Sequence, residues 1–553
     1  MSKDQESEGH QMYPRFTAAQ LDKIRRFGTT EYWKAGDVMF RAGQSGSGMR
    51  VLIKGTARLT KRDGLGRSQL LVEVSEGQFL GETVQLTGTP ALADGHAVTD
   101  IEALLIPPEG IRALLVAEAQ LGEEIIQSFI LRRVRLIQNG GGPVLIVPAQ
   151  NLRLVALQGL LQRINHPHSV VDAVSDPNAR AFLEALDTRK EDLPIVILSD
   201  GTVMRSPNER QLAAKLGLVP EFSTAHTYDI AVVGAGPAGL ATAVYAASEG
   251  LSLIVFDEHG PGGQAGVSAR IENYLGFPAG ITGHELAARA FVQAVKFGAK
   301  IAIPVSIQAL DCKRTPFELE LTDGQRVSSH TVVIATGAAY RRPAIAGLDR
   351  INGCGVYYWA SSIEAKLCAG DEVALVGGGN SAGQAIVFLS SYASRVHVLI
   401  RGNDLHKSMS SYLVERVTSL SNVEVHTMTT VASVEGNEDG LARIVCQTAS
   451  GRKTLELRHL FLFAGADPNT GWLSTCRVEV DEKGFVKTRM DASVHADGPP
   501  STLQTRVPGV FAIGDVRSSS AKRVAAAVGD GAAVVAEIHS YLAIRRACSK
   551  VGH

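Results

Sequence analysis

Three rhythms of apolar and polar positions follow one another along the chain. From residue 14 to about 110, short alternating runs are broken by glycine turns: GDVMFRAGQ, GMRVLIKGTARLTKRD, SQLLVEVSEGQFLGE and HAVTDIEALLIP. Period-two alternation at this turn spacing predicts a small β-barrel or jelly roll. The stretch IRALLVAEAQLGEEIIQSFILRRVRLIQ then places apolar residues three and four apart, predicting one long amphipathic helix that closes a first domain over 14–139. After a linker at Gly140-Gly141-Gly142-Pro143, the order strand, helix, strand, helix, hairpin, helix fills 143–219. From 227 the rhythm becomes apolar strand, glycine loop, helix, and it occurs twice. This predicts two three-layer α/β nucleotide-binding units between 227 and 545.

Composition narrows the partners. With 45% hydrophobic and 20% charged residues, the 553-residue chain is that of a folded multidomain protein. A formal net charge of −1 gives no electrostatic reason to expect nucleic acid or an anionic membrane. The polar start MSKDQESEGHQMYP and the lack of a long apolar run lead us to expect a cytoplasmic protein with no membrane span. Six cysteines, Cys312, Cys354, Cys368, Cys446, Cys476 and Cys548, show no C-x-x-C pair and no metal-ligand spacing, so reduced core thiols and no metal are expected.

The chemistry is in the two loops. Strand Tyr228–Val233 leads into Gly234-Ala235-Gly236-Pro237-Ala238-Gly239 and a helix. The first glycine permits the tight turn, the second lets a pyrophosphate approach, and the third lets helix and strand pack; the anion sits at the helix N-terminus. The next strand ends at Asp257, placed for a ribose diol. A second strand, Val373–Val376, leads into Gly377-Gly378-Gly379-Asn380-Ser381-Ala382, and its following strand ends at Arg401. A cation at that strand end suits a ribose 2′-phosphate where a carboxylate would suit the bare diol.

With Val510–Asp515 near the C-terminus and the chain crossover at Thr336-Gly337, residues 227–543 resemble the thioredoxin reductase family of FAD-dependent pyridine-nucleotide oxidoreductases. The resemblance implies FAD on Gly234, Gly236, Pro237, Ala238, Gly239 and Asp257, with NADPH on Gly377, Gly379, Asn380, Ser381, Ala382 and Arg401. It adds Gly263 and Gln264, Asn273, Thr336, Gly337, Gly514, Asp515 and Arg523-Val524-Ala525 as flavin contacts, and it implies a homodimer and a second unit (344–467) inserted between the halves (227–343 and 468–545) of the first. The family's C-x-x-C falls on Trp359-Ala360-Ser361-Ser362, where indole and hydroxyl cannot cycle between dithiol and disulfide. No catalytic residue is therefore assigned. Trp359, Ser362 and Tyr358 are flavin-proximal candidates, Cys354 is the nearest thiol, and the electron acceptor is unidentified. A ferredoxin- or quinone-type reductase, or a redox or nucleotide sensor, is the alternative.

The N-terminal part resembles two further families. Leu80-Gly81-Glu82 after a barrel strand resembles the cyclic nucleotide-binding domain, in which Glu82 would take the ribose 2′-hydroxyl; the family's phosphate arginine falls in register with Ala91-Leu92-Ala93. The unit 143–219 resembles the thioredoxin fold, with Pro148-Ala149-Gln150-Asn151 where a redox thioredoxin has its cysteines. A docking or structural role is expected for it.

Overall fold

The computed structural model describes residues 11–551 except 45–47, 63–67, 82–89, 139–141, 148–151, 165, 221, 223–225, 269, 352–354, 361, 438–439 and 489–501. Glu82, the Pro148–Asn151 turn and Cys354 thus lie outside the described residues. No helix among the described residues is long and apolar enough to cross a membrane.

The alternating runs at the N-terminus form two four-stranded antiparallel sheets, Thr29–Trp33, Ile101–Ile106, Met49–Lys54 and Phe79–Leu80 facing Val38–Phe40, Asp94–Ala97, Thr56–Arg62 and Ser68–Ser75. The expected single closing helix is two, Pro108–Ala117 and Ala119–Gln138. The break is at Glu118, whose backbone leaves the helical region (φ −120°, ψ 79°) while its carboxylate pairs with Lys23 at 2.7 Å. The backbone bonds Glu118 N to Leu114 O and Gly122 N to Glu118 O carry the chain through the bend. In the second unit, Ser169–Asp172, Val144–Val147, Ile195–Ile197 and Val203–Arg205 form one mixed sheet, with the first pair parallel and the others antiparallel.

The first nucleotide-binding unit is built on β1 (Thr227–Val233), α1 (Pro237–Ser248), β2 (Leu253–Phe256), α2 (Gly283–Lys296) and β3 (Lys300–Ala302), followed by β4 (Ile307–Asp311), β5 (Phe317–Leu321) and β6 (Arg326–Ile334). Strands β3, β2, β1 and β6 run parallel, and β4 and β5 extend the sheet antiparallel. One sheet face buries α1 and the C-terminal helix; the other buries the β4–β5 hairpin side and Val486. The chain then leaves through β7 (Ala338–Tyr340).

The inserted unit is a parallel sheet of β8 (Val356–Tyr357), β9 (Glu372–Val376), β10 (Arg395–Leu399), β11 (Val423–His426) and β15 (His459–Leu462), in the order β8-β15-β9-β10-β11. Helices α3 (Ser362–Leu367), α4 (Asn380–Leu389) and α5 (Ser411–Ser419) belong to this unit. The meander β12 (Thr430–Asn437), β13 (Gly440–Thr448) and β14 (Gly451–Glu456) covers the other sheet face. The chain returns along β16 (Ala466–Pro468), which pairs antiparallel with β7, so a two-stranded ribbon joins the units. β17 (Val510–Ala512) then completes the first sheet beside β6, and α6 (Val524–Val551) closes it.

One cysteine expectation is overturned. Cys312, just after β4, and Cys476, after the turn Gly471–Leu473, form a disulfide. The fold brings their Cα atoms to 5.4 Å, inside bridging range, although 164 residues separate them in sequence. Cys368 and Cys446 are buried free thiols, as expected.

Candidate active site: two dinucleotide loops

The first loop is shaped by backbone constraints. Gly234 has φ +111°, and a Cβ there would meet Ala335 O at 2.2 Å; a Cβ on Gly239 would meet Gly234 O at 1.9 Å. Gly236 faces open space, with nothing within 4 Å of where its Cβ would be. It also caps α1 without any side-chain hydrogen bond, whereas Thr282 caps α2 with its hydroxyl. The first-turn amides of α1 are thus left to an external anion, the fit that a pyrophosphate requires. Asp257 organises the loop: its Oδ2 accepts from Ala235 N (2.8 Å), and its Oδ1 accepts from His259 N and Gly260 N (both 2.8 Å).

The far elements converge on the same helix. Helix α6 crosses α1 through small residues: Thr242 Oγ1 donates to Ala238 O and Gly531 O, and a Cβ on Gly531 would lie 2.4 Å from Ala238 O. Gly514 (φ +69°) lies so close that its Cβ would meet that of Ala238 at 2.9 Å, and its N–H donates to Asp530. Asp515 is partly buried, and its carboxylate accepts no hydrogen bond among the described residues. Burial pushes its carboxyl above the usual range, opposed by Lys522, whose ammonium donates to the Asp515 carbonyl. A half-buried carboxylate without a donor fits a hydroxylated ligand such as a ribityl chain. Arg523 is exposed and precedes α6, so Val524 and Ala525 form that helix's first turn.

The ribbon between the units is held reciprocally: Thr336 Oγ1 donates to Asn469 O (2.8 Å), and Asn469 Nδ2 donates to Thr336 O (2.9 Å). Gly337 takes φ +63° there, and its carbonyl accepts from Asn469 N. The turn at Gly263 passes within 3.2 Å of Gly236 Cα, measured from where its Cβ would lie, and the Gln264 amide donates to Ala338 O. Asn273 is exposed on a cavity of about 490 Å³ between the units, lined also by Arg270, Glu272, Tyr412 and Arg416; Arg416 bridges to Glu272 at 2.7 Å.

The second loop repeats the first. Gly377 has φ +143°, Gly379 caps α4 without a side-chain bond, and Ala382 is buried against the strand. Ser381 is exposed at the helix start. Asn380 accepts Ser410 N (2.7 Å), and Ser408 Oγ donates to Gly378 O (2.7 Å), so the 408–410 segment braces the loop. Arg401 is exposed at the end of β10 and makes no ion pair among the described residues, while His406 is engaged with Asp404.

The flavin-proximal candidates separate. Tyr358 is buried in the core between the parallel sheet and the meander, under the Arg342 guanidinium. Tyr357 stacks on His459 and Phe461 in the same unit. Trp359 is 42% exposed and its indole N–H donates to Glu364 (3.1 Å); Ser362 opens α3. Arg163 was not legible in the sequence as a site residue. It reaches from the second unit to donate to His259 O (2.9 Å) beside Asp257, because packing of Leu160 and Ala213 onto α1 brings that unit to the loop. In the barrel, Gly81 gives its carbonyl to Arg132 (2.8 Å), whose guanidinium lies over Tyr13 and Phe79, and Ala91 and Leu92 are buried.

Two uncapped helix N-termini behind glycine loops, on two parallel sheets joined by one ribbon, define an oxidoreductase that uses two dinucleotides. The chain belongs to the pyridine nucleotide-disulphide oxidoreductase family, which matches residues 228–531, and within it is an FAD-dependent NADPH oxidoreductase of the thioredoxin reductase family. Residues 30–118 match the cyclic nucleotide-binding domain family. The chain is 32% identical over 326 residues to NADPH-dependent thioredoxin reductase 3 of Arabidopsis thaliana, covering 57% of this chain and 58% of that protein. It is 31% identical over 305 residues to the thioredoxin reductase of Mycoplasmopsis pulmonis, covering 55% of this chain and 94% of the relative. The solved T. acidophilum thioredoxin reductase superposes with a TM-score of 0.52 at 29% identity, over 57% of this chain and 98% of that one. The Lactococcus lactis thioredoxin reductase shares the fold, with a TM-score of 0.52 at 24% identity, over 57% of this chain and 99% of that one.

Proposed function

We propose that this chain takes reducing equivalents from NADPH and delivers them to an acceptor straight from the flavin, without a dithiol relay in the inserted unit. The observation that carries this is the pair Trp359 and Ser362 at the relay positions, with the Trp359 indole hydrogen-bonded to Glu364 and part-exposed. FAD, when bound, supplies a ring that accepts hydride from the nicotinamide and yields the electrons to a second partner.

The residues do the holding. The backbone N–H groups of Gly236 and Ala238, on either side of Pro237, receive the FAD pyrophosphate, and Gly263 lies against them. Asp257 and, through His259, Arg163 fix the ribose side of that loop. Asp515 would receive ribityl hydroxyls, and the start of α6 at Val524 and Ala525 would offer its positive dipole end to the flavin. On the second loop, Gly377 and Gly379 seat the nicotinamide dinucleotide's phosphates, and Arg401 holds the 2′-phosphate.

The acceptor of this reading is a ferredoxin-like protein, a quinone or oxygen, each of which can take electrons without a dithiol. The deciding assay is NADPH oxidation by the FAD-loaded chain with thioredoxin, a ferredoxin, a quinone or oxygen supplied in turn. Turnover with one of the latter three and background rates with thioredoxin is the expected result. Sustained thioredoxin reduction overturns the reading, and its loss in Cys312→Ser would then place the relay at the Cys312–Cys476 disulfide.

A second reading, a sensor, is favoured by one contact. Val295, Phe291 and Ile301 of the flavin unit pack into the core cluster of the cyclic-nucleotide-like barrel with Leu121, Ile125 and Phe129. A ligand state of the barrel has a packed route to α2. A change in NADPH oxidation rate on adding cyclic AMP or cyclic GMP supports this reading, and an unchanged rate removes it.

A further inference from the structure

The register of the inserted sheet creates a grouping that neither nucleotide loop uses. His397 in β10 is opposite Glu424 in β11, and Leu399 is opposite His426. Because strand side chains alternate faces, Glu424 and His426 share one face with His397. His397 Nδ1 lies 3.1 Å from His426 Nε2, with Glu424 Oε2 3.6 Å from the former and Glu424 Oε1 3.6 Å from the latter. All three ligand atoms are within 4.8 Å of one another.

We propose that His397, Glu424 and His426 bind a divalent transition-metal ion, zinc being the cation whose ligand preference they match. First, ligand atoms around a tetrahedral zinc with bonds of about 2.0–2.1 Å stand about 3.3–3.4 Å apart; the two imidazole nitrogens stand 3.1 Å apart, and each has a Glu424 oxygen at 3.6 Å. Second, His397 Nε2 is 2.9 Å from Glu372 Oε2. A carboxylate only accepts, so the proton is on Nε2 and the Nδ1 lone pair points into the group; this is the outer carboxylate that orients metal-bound histidines. Third, a hydrogen bond between the imidazoles accounts for the 3.1 Å contact but leaves Glu424 beyond hydrogen-bonding distance of both rings. One cation among them serves all three.

His397 is buried, His426 half-buried and Glu424 exposed, so the ion enters from the strand edge and keeps a fourth position for water. The charges facing the site are Glu372 from β9, Arg395, 3.5 Å from Glu424, and Lys453 from β14. Arg395 must release Glu424 as the metal binds. His426 O also accepts Ile400 N, next to Arg401, so the ion stiffens the strand end that carries the 2′-phosphate cation.

The test is titration of the FAD-loaded full chain, stripped of metal by a chelator, with Co²⁺ and then Zn²⁺. Tetrahedral ligand-field absorption that saturates at one Co²⁺ per chain and is displaced by Zn²⁺ is expected. His426→Gln and Glu424→Gln should each weaken binding at least about tenfold, and Glu372→Gln about 10- to 100-fold. Retained FAD reports folding of each variant; should His426→Gln lose it, Glu424→Gln, at an exposed position, decides. No ligand-field band, or a band that these substitutions leave unchanged, overturns the proposal.

Discussion

At residue scale the site is made by what glycine leaves out. Gly531 lies where a Cβ would stand 2.4 Å from the backbone of Ala238, so Gly531→Val must push α6 off α1. A loss of about 1–3 kcal/mol is expected, read as a lower Tm, together with reduced FAD content after purification. Arg401→Ala should raise the KM for NADPH by about 10-fold or more and leave that for NADH within about twofold, because only the former carries the phosphate; parallel steady-state kinetics check this. Cys368 is pushed up to about 11 by burial, so it stays a thiol at pH 8. Mass spectrometry after alkylation of the native protein at that pH should find Cys368 unmodified and, after denaturation, modified.

At element scale, the strand–loop–helix repeats were legible in the sequence because their signals are local: glycines at fixed offsets between an apolar strand and a helix. The Thr336–Asn469 ribbon was half legible, since Thr336-Gly337 ends a strand but its partner is 133 residues on. The break at Glu118 escaped because no glycine or proline marks it. The Cys312–Cys476 bridge escaped because connectivity cannot be read from spacing when partners lie in separate elements. His397, Glu424 and His426 escaped for a similar reason: only cross-strand register brings them together. Arg163 was hidden because its contact crosses from one unit to another. The disulfide yields a prediction of its own. Reducing it, or Cys312→Ser, should lower the unfolding free energy of the flavin unit, read from chemical denaturation, by about 2–4 kcal/mol, because it closes a long loop.

At the scale of the whole molecule, three packed contacts make the units one body: the barrel helices on α2, Leu160 and Ala213 on α1, and the Arg416–Glu272 bridge from the inserted unit. The flavin loop is therefore the hub on which the other units meet, and the proposed function turns on Trp359 and Ser362 in the inserted unit. A chain with a flavin and a connected dithiol takes up four electrons; one whose flavin stands alone takes up two. Anaerobic reductive titration of the FAD-loaded protein, followed at the flavin absorption band, measures this directly. Full bleaching at two electrons per flavin with no further uptake is expected, and uptake of four electrons per flavin would overturn the proposed function.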